Sequence, residues 1–258
     1  MKTNLYLLSI ASTWAFNLQA LELRKEVAIK LSPKICHVIN KAVPDGVIPT
    51  PQQVAKDAYC AANLMAEHAP YGAITIFGSA RAKPGMESYD LTREFARQWT
   101  TGFSKYPIMT GGGPGIMEAG NRGAHEAKGK SLAIGSHFAG GQEKPNQFTT
   151  HGYMSYSFAQ READLVDYAA AIVVAPGGFG TEWEIFESLS KMQTRKKTPV
   201  PIILLGGKKH WQTLLDRVHH LDRIHTISSE DLGLLSVANT PDEAVKIIAA
   251  KLFPSRQG

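Results

Sequence analysis

A Rossmann-like, doubly wound α/β fold is the architecture the sequence predicts, on three observations. Short, nearly all-apolar runs recur at Ala73–Phe77, Ile108–Thr110, Ser131–Ile134, Ala171–Val174 and Pro201–Leu205. Helix-length stretches lie between them, among them Tyr89–Trp99, Ile116–Ala127 and Thr181–Met192. Three of the runs end in glycine-rich or small-residue loops that open into a helix. Strands buried on both faces read as continuous apolar runs, and their alternation with helices is the signature of a mainly parallel sheet covered on both sides.

Composition sets the outer bounds. The chain has 258 residues, 43% hydrophobic and 20% charged, which is ordinary for a globular protein with one large core. Its formal net charge of +5 suits a phosphorylated ligand. The basic residues are scattered apart from Arg195-Lys196-Lys197, which reads as a solvated turn; a nucleic-acid surface wants a longer stripe, so no nucleic-acid partner is expected. No apolar run reaches the length of a membrane span. Cys36 and Cys60 have neither CxxC nor Cys/His spacing, so no metal site is expected; thiols at least partly buried are the default reading, with a disulfide between them as the alternative.

Residues 1–70 read as an N-terminal helical extension and 71–258 as the nucleotide-binding domain. Lys2 and the apolar stretch Leu5–Ala11, with a small residue at Ala20, have the outline of a secretory signal. Ser9, Ser12, Thr13 and Asn17 interrupt it, and Leu5, Leu8, Ala15 and Leu18 fit one stripe of an amphipathic helix. A retained helix and a cytoplasmic location are the expectation. Val43–Gly46 marks a turn. Thr50 then stands at an N-cap, Pro51 at the first helical position and Gln53 where a capping box needs it, for a helix ending near Ala69-Pro70.

Chemistry concentrates in the three loops, which this fold gathers beyond the carboxyl ends of the strands. Gly78-Ser79-Ala80-Arg81 offers the Ser79 hydroxyl and the Arg81 guanidinium to an anion. Thr110-Gly111-Gly112-Gly113-Pro114-Gly115-Ile116 allows close backbone approach, with Gly112, Gly113 and Gly115 as phosphate-binding candidates beside a helix N-terminus. It is not a dinucleotide fingerprint, since Glu118 takes the place of the last glycine; nor is Gly129-Lys130-Ser131 a P-loop, since Ala124 stands where the leading glycine belongs. The third loop, Pro176-Gly177-Gly178-Phe179-Gly180-Thr181, runs toward Glu184. Gly177, Gly178, Phe179, Gly180 and Thr181 are its ligand-binding candidates. Thr181 and Glu184 also match a T-x-x-E capping box, which is the purely structural alternative.

Pro176-Gly-Gly-Phe-Gly-Thr-x-x-Glu184, together with Gly111-Gly-Gly-Pro-Gly-Ile-Met-Glu-Ala119, closely resembles the LOG family over roughly residues 72–207. That family comprises cytokinin riboside 5′-monophosphate phosphoribohydrolases and related nucleotide 5′-monophosphate nucleosidases, many once mislabelled lysine decarboxylases. The resemblance implies that Glu184 and Arg161 are catalytic and that Ser190 stands where plant-type enzymes contact substrate with a threonine. It also implies a homodimer or higher homo-oligomer with the site near the interface. Ile185, Phe186, Leu189 and Met192 are candidate contributors to that contact, although core packing is the commoner fate of such a stripe. Glu162 departs from the family's pattern, which has lysine there. Without the resemblance, Arg161 reads as a surface ion-pair partner of Asp164 or Glu162.

The activity implied is hydrolysis of the N-glycosidic bond of AMP or an N6-modified AMP, giving free base and ribose 5-phosphate with no cofactor signalled. A first-turn Glu184 would feel the positive helix end and stay ionised, as base or cation stabiliser. Two other readings compete: a nucleotide or cofactor carrier of the molybdenum-cofactor-carrier type, and a pyridoxal-phosphate decarboxylase, for which no Schiff-base lysine is nominated.

Overall fold

The computed structural model describes residue 36 and residues 48–138, 141–142 and 145–254. The expected stripe Leu5–Leu18 and the turn Val43–Gly46 lie outside them. The first described helix, α1 (Pro51–His68), begins as the capping box foresees: Thr50 Oγ1 accepts from the Gln53 amide at 3.3 Å, and Gln53 Oε1 accepts from the Thr50 amide at 2.8 Å.

The strands are β1 (Ala73–Phe77), β2 (Ile108–Thr110), β3 (Ser131–Phe138), β4 (Gly141–Gln142), β5 (His151–Ser155), β6 (Ala169–Val174), β7 (Ile202–Leu205) and β8 (Leu235–Ala238). Seven of them form a parallel sheet in the order β5-β3-β2-β1-β6-β7-β8, with the short β4 antiparallel to β3. The chain grows outward from β1 in one direction and then returns to lay β6 on its other side. That makes the gap between β1 and β6 the topological switch point, where such sheets leave a crevice. The fold is the Rossmann-like one expected.

Helices α2 (Glu87–Gly102), α3 (Ile116–Glu126), α4 (Phe158–Asp167), α5 (Phe179–Gln193), α6 (Lys208–Arg223) and α7 (Pro241–Leu252) complete the layers. Alternate strand residues feed opposite faces. Phe77, Ile172 and Val174 join Met65, Leu165, Ile185 and Trp211 from α1, α4, α5 and α6. Ile74, Ile76 and Val173 join Phe95, Trp99, Ile116 and Ile248 from α2, α3 and α7. Both faces are therefore buried, which explains why the strands carry no polar alternation.

Several details depart from the sequence reading. The third run continues as strand to Phe138, and β5 and β8 were not foreseen: β5 begins with the polar His151-Gly152, and β8 is a half-buried edge. Cys36 and Cys60 are joined in a disulfide with Cα atoms 5.5 Å apart, so they are not the thiols expected. The 195–197 cluster is a turn, with Arg195 at φ 58°, but Lys197 reaches back to the carbonyls of Asp167 (3.1 Å) and Ala169 (2.8 Å).

Candidate active site

The three loops meet at the switch point. Ser79 donates its amide to the Pro176 carbonyl (3.1 Å), and its own carbonyl accepts from the Ile116 amide (3.0 Å). The first loop is thus hydrogen-bonded to both others. Gly115, at φ 70°, is needed for this closure, because a Cβ there would collide with the carbonyl of Ser79. A buried polar network holds the second loop. Thr110 Oγ1 accepts from the Gly112 amide (2.9 Å) and donates to Asn121 Oδ1 (2.7 Å), while Asn146 Nδ2 donates to the carbonyls of Gly112 (3.0 Å) and Gly113 (3.1 Å).

In the third loop the structure corrects the capping alternative. Helix α5 starts at Phe179 with Gly178 as its N-cap, so Thr181 lies inside the helix and makes no cap. Gly177, Gly178, Phe179 and Gly180 are exposed at that helix N-terminus. A Cβ at Gly178 or Gly180 would meet nothing within 4 Å, so packing within the chain does not explain these two glycines. Open amides at a helix start, free of side-chain cover, are what an anion needs.

Glu184 is the sixth residue of α5, a turn deeper than the sequence reading put it, and it is buried. Facing it from α4 is Arg161, only 6% exposed and so no surface ion-pair residue. Its Nη1 lies 3.8 Å from Glu184 Oε1 and in direct contact with Glu162 Oε1. Its Nε donates to the Ile134 carbonyl at 3.1 Å, and a Cβ on Gly111 would collide with its Nη2. The guanidinium is thereby wedged between the middle of β3 and the second glycine loop.

Burial pushes the Glu184 carboxyl well above the usual carboxylate range; Glu162 pushes the same way and Arg161 opposes them. This reverses the expectation of an ionised Glu184. The helix-end field acts mainly on the first turn, and here desolvation and a like charge outweigh it.

The helix bearing Arg161 is anchored from below. Asp57 on α1 accepts from Ser155 Oγ (2.8 Å) and from the amides of Tyr156 (2.9 Å) and Ser157 (2.8 Å). Ser157 in turn caps α4 by accepting from the Gln160 amide at 3.1 Å. Beyond Gly111 and Gly112 a cleft of about 280 Å³ runs along β3 and β5, lined also by Gly135, Ser136, Asn146 and Thr149. The Ser136 hydroxyl is buried and without a hydrogen-bond partner.

Other candidates fall outside this cluster. Ser79 Oγ accepts from the Arg81 amide at 3.1 Å, and the Arg81 side chain is exposed. Ser190 is exposed six positions after Glu184, about 240° round the helix, so the structure does not bring it to the pair. Ile185 and Met192 are core, while Phe186 is partly exposed. Sequence reasoning missed Gly111, Asn146 and Asp57. Only the run of glycines pointed at the first; the other two act through contacts distant along the chain. Among the described residues no group of three or more His, Cys, Asp or Glu could hold a metal ion, and no helix could cross a membrane.

Fold and site together define a Rossmann-like α/β protein whose glycine loops join at its switch point, with a buried Arg–Glu pair beside the second of them. The chain belongs to the family described as "Possible lysine decarboxylase", the LOG family, whose model matches residues 117–248. No curated protein matches the chain in sequence. Similar solved structures include the molybdenum cofactor binding protein from the phototrophic bacterium Rippkaea orientalis, at 18% identity and a TM-score of 0.53, covering 70% of this chain and 97% of that one. The molybdenum cofactor carrier protein from Chlamydomonas reinhardtii is 21% identical at a TM-score of 0.53, covering 70% and 98%. At these identities the likeness is one of fold.

Proposed function

We propose that this protein hydrolyses the N-glycosidic bond of a nucleoside 5′-monophosphate, AMP or an N6-modified AMP. The observation that carries this reading is the buried Arg161–Glu184 pair, 3.8 Å apart, beside the second of the three joined glycine loops. The open amides at the start of α5 receive the 5′-phosphate, which supplies binding energy remote from the reacting bond. Glu184 in its acid form protonates the departing base as the base–C1′ bond breaks. Water then attacks C1′ and returns a proton to the Glu184 carboxylate, closing the cycle. Arg161 orients Glu184 and, near the ribose, holds its hydroxyls.

The experiment is a comparison of AMP with adenosine, scoring free base and sugar product. AMP is cleaved and adenosine far more slowly; equal rates would remove the glycine loops from the account. The second reading is a carrier that binds without turnover, favoured by the similar structures named as molybdenum cofactor proteins. Tight nucleotide or cofactor binding by a protein that never turns over would establish it.

We also infer a homo-oligomer. Phe158, Trp183 and Phe186 are partly exposed and Phe179 is 98% exposed, all on α4 and α5 beside the pair. Those rings, rather than the buried Ile185 and Met192, are the apolar surface a second copy would cover. A monomeric mass by light scattering at assay concentration would contradict this.

A further inference from the structure

Two buried carboxylates share one guanidinium. Glu162 is 2% exposed and follows Arg161 on α4; Glu184 comes from α5. Arg161 Nη1 touches Glu162 Oε1 and stands 3.8 Å from Glu184 Oε1. The other Glu162 oxygen, Oε2, is buried without a hydrogen-bond partner. Facing Glu184 are Arg161 and Glu162 from α4 and Glu187 from its own helix, and Glu187 is engaged by Lys191 at 3.0 Å.

With both carboxylates ionised, this buried trio carries a net negative charge, which a low-dielectric setting strongly disfavours. One proton removes it. The carboxylate touching the guanidinium keeps its charge; the one held farther off takes the proton.

We propose that Glu162 is a positioning residue that occupies Arg161 and so leaves Glu184 to carry the proton the reaction donates. The catalytic part of this rests on the hydrolytic reading above; the proton inventory does not. Burial and the neighbouring Glu162 charge both raise the Glu184 carboxyl, in agreement with the geometry.

The test is carbon-detected NMR titration of the glutamate carboxyls in the full chain, wild type against Glu162→Gln and Glu162→Lys, with the pH profile of AMP cleavage alongside. In the wild type, Glu184 titrates well above the usual carboxylate range. In both variants the Glu184 titration and the alkaline limb of the profile move to lower pH by roughly one unit or more, with about a tenfold loss of turnover per unit above the new limb. Two ordinary carboxylate titrations in the wild type, or an unmoved Glu184 in a folded variant, would overturn the proposal even if AMP is cleaved. A shifted titration in a protein that cleaves no nucleotide would instead sink hydrolysis and leave the role of Glu162 standing. Should both variants fail to fold, the wild-type titration alone decides.

Discussion

Gly111 and Arg161 are in such close approach that a single methyl group on the glycine would occupy the place of the arginine's Nη2. The glycine loop and the Arg161 side chain are therefore one mechanical unit, although 50 positions separate them in the chain. Gly111→Ala requires no forbidden backbone angle, so its effect falls on the side chains it meets, the guanidinium first and the Met117 sulfur second. Turnover of AMP should drop about a hundredfold, the scale of an ångström-level misplacement, with a smaller change in affinity. Steady-state kinetics beside calorimetric binding checks this; unchanged kinetics would mean that Arg161 finds an equally good position.

The anchor beneath α4 should matter for stability. Asp57→Ala leaves the amides of Tyr156 and Ser157 without their acceptor, while the Ser155 hydroxyl keeps the Ser157 carbonyl at 2.9 Å. Hydrogen bonds to a charged group contribute about 1.5–3 kcal/mol each and are not additive, so a loss of at least ~2 kcal/mol is expected in urea unfolding. A loss below half of that would show that water replaces the carboxylate.

The buried carboxyl gives stability a pH dependence of known sign. Glu184 binds its proton more tightly folded than unfolded, so above the ordinary carboxylate value of 4.5 the native state holds a proton that the unfolded chain releases. Its contribution is then fully present below that value and lost as pH rises toward the raised folded one. Glu184→Gln abolishes the titration, and its melting temperature should gain on that of the wild type from about pH 4.5 upward. Parallel curves across that range would contradict the raised value.

The disulfide closes a loop across a sequence separation of 24 residues, so reduction or Cys60→Ser should cost about 3 kcal/mol. Melting with and without reductant measures it.

What the sequence made legible was whatever is local. The capping box at Thr50–Gln53, the apolar strands and the glycine loops each depend on neighbours a few residues apart, and each lies where local rules put it. The Thr181–Glu184 capping box failed because the helix starts earlier, with Gly178 as its N-cap. Glu184's protonation was misjudged for a related reason: the helix-end field is visible in sequence, but burial against Arg161 and Glu162 is not. Position 162 looked like a change of charge beside the site, and the fold makes it a direct partner of the catalytic candidate. Nothing local marked Asp57, whose hydrogen-bond partners lie about a hundred residues away.

The central claim is that Glu184 donates a proton in glycosidic cleavage, and Glu184→Gln tests it with two readings on one protein. Glutamine keeps the shape and has no proton of suitable acidity to give. Turnover of AMP should fall about a hundredfold to ten-thousandfold, while AMP affinity, carried by the phosphate contacts, stays within a few fold. A folded Glu184→Gln variant that cleaves AMP at the wild-type rate would contradict the account, whatever its affinity.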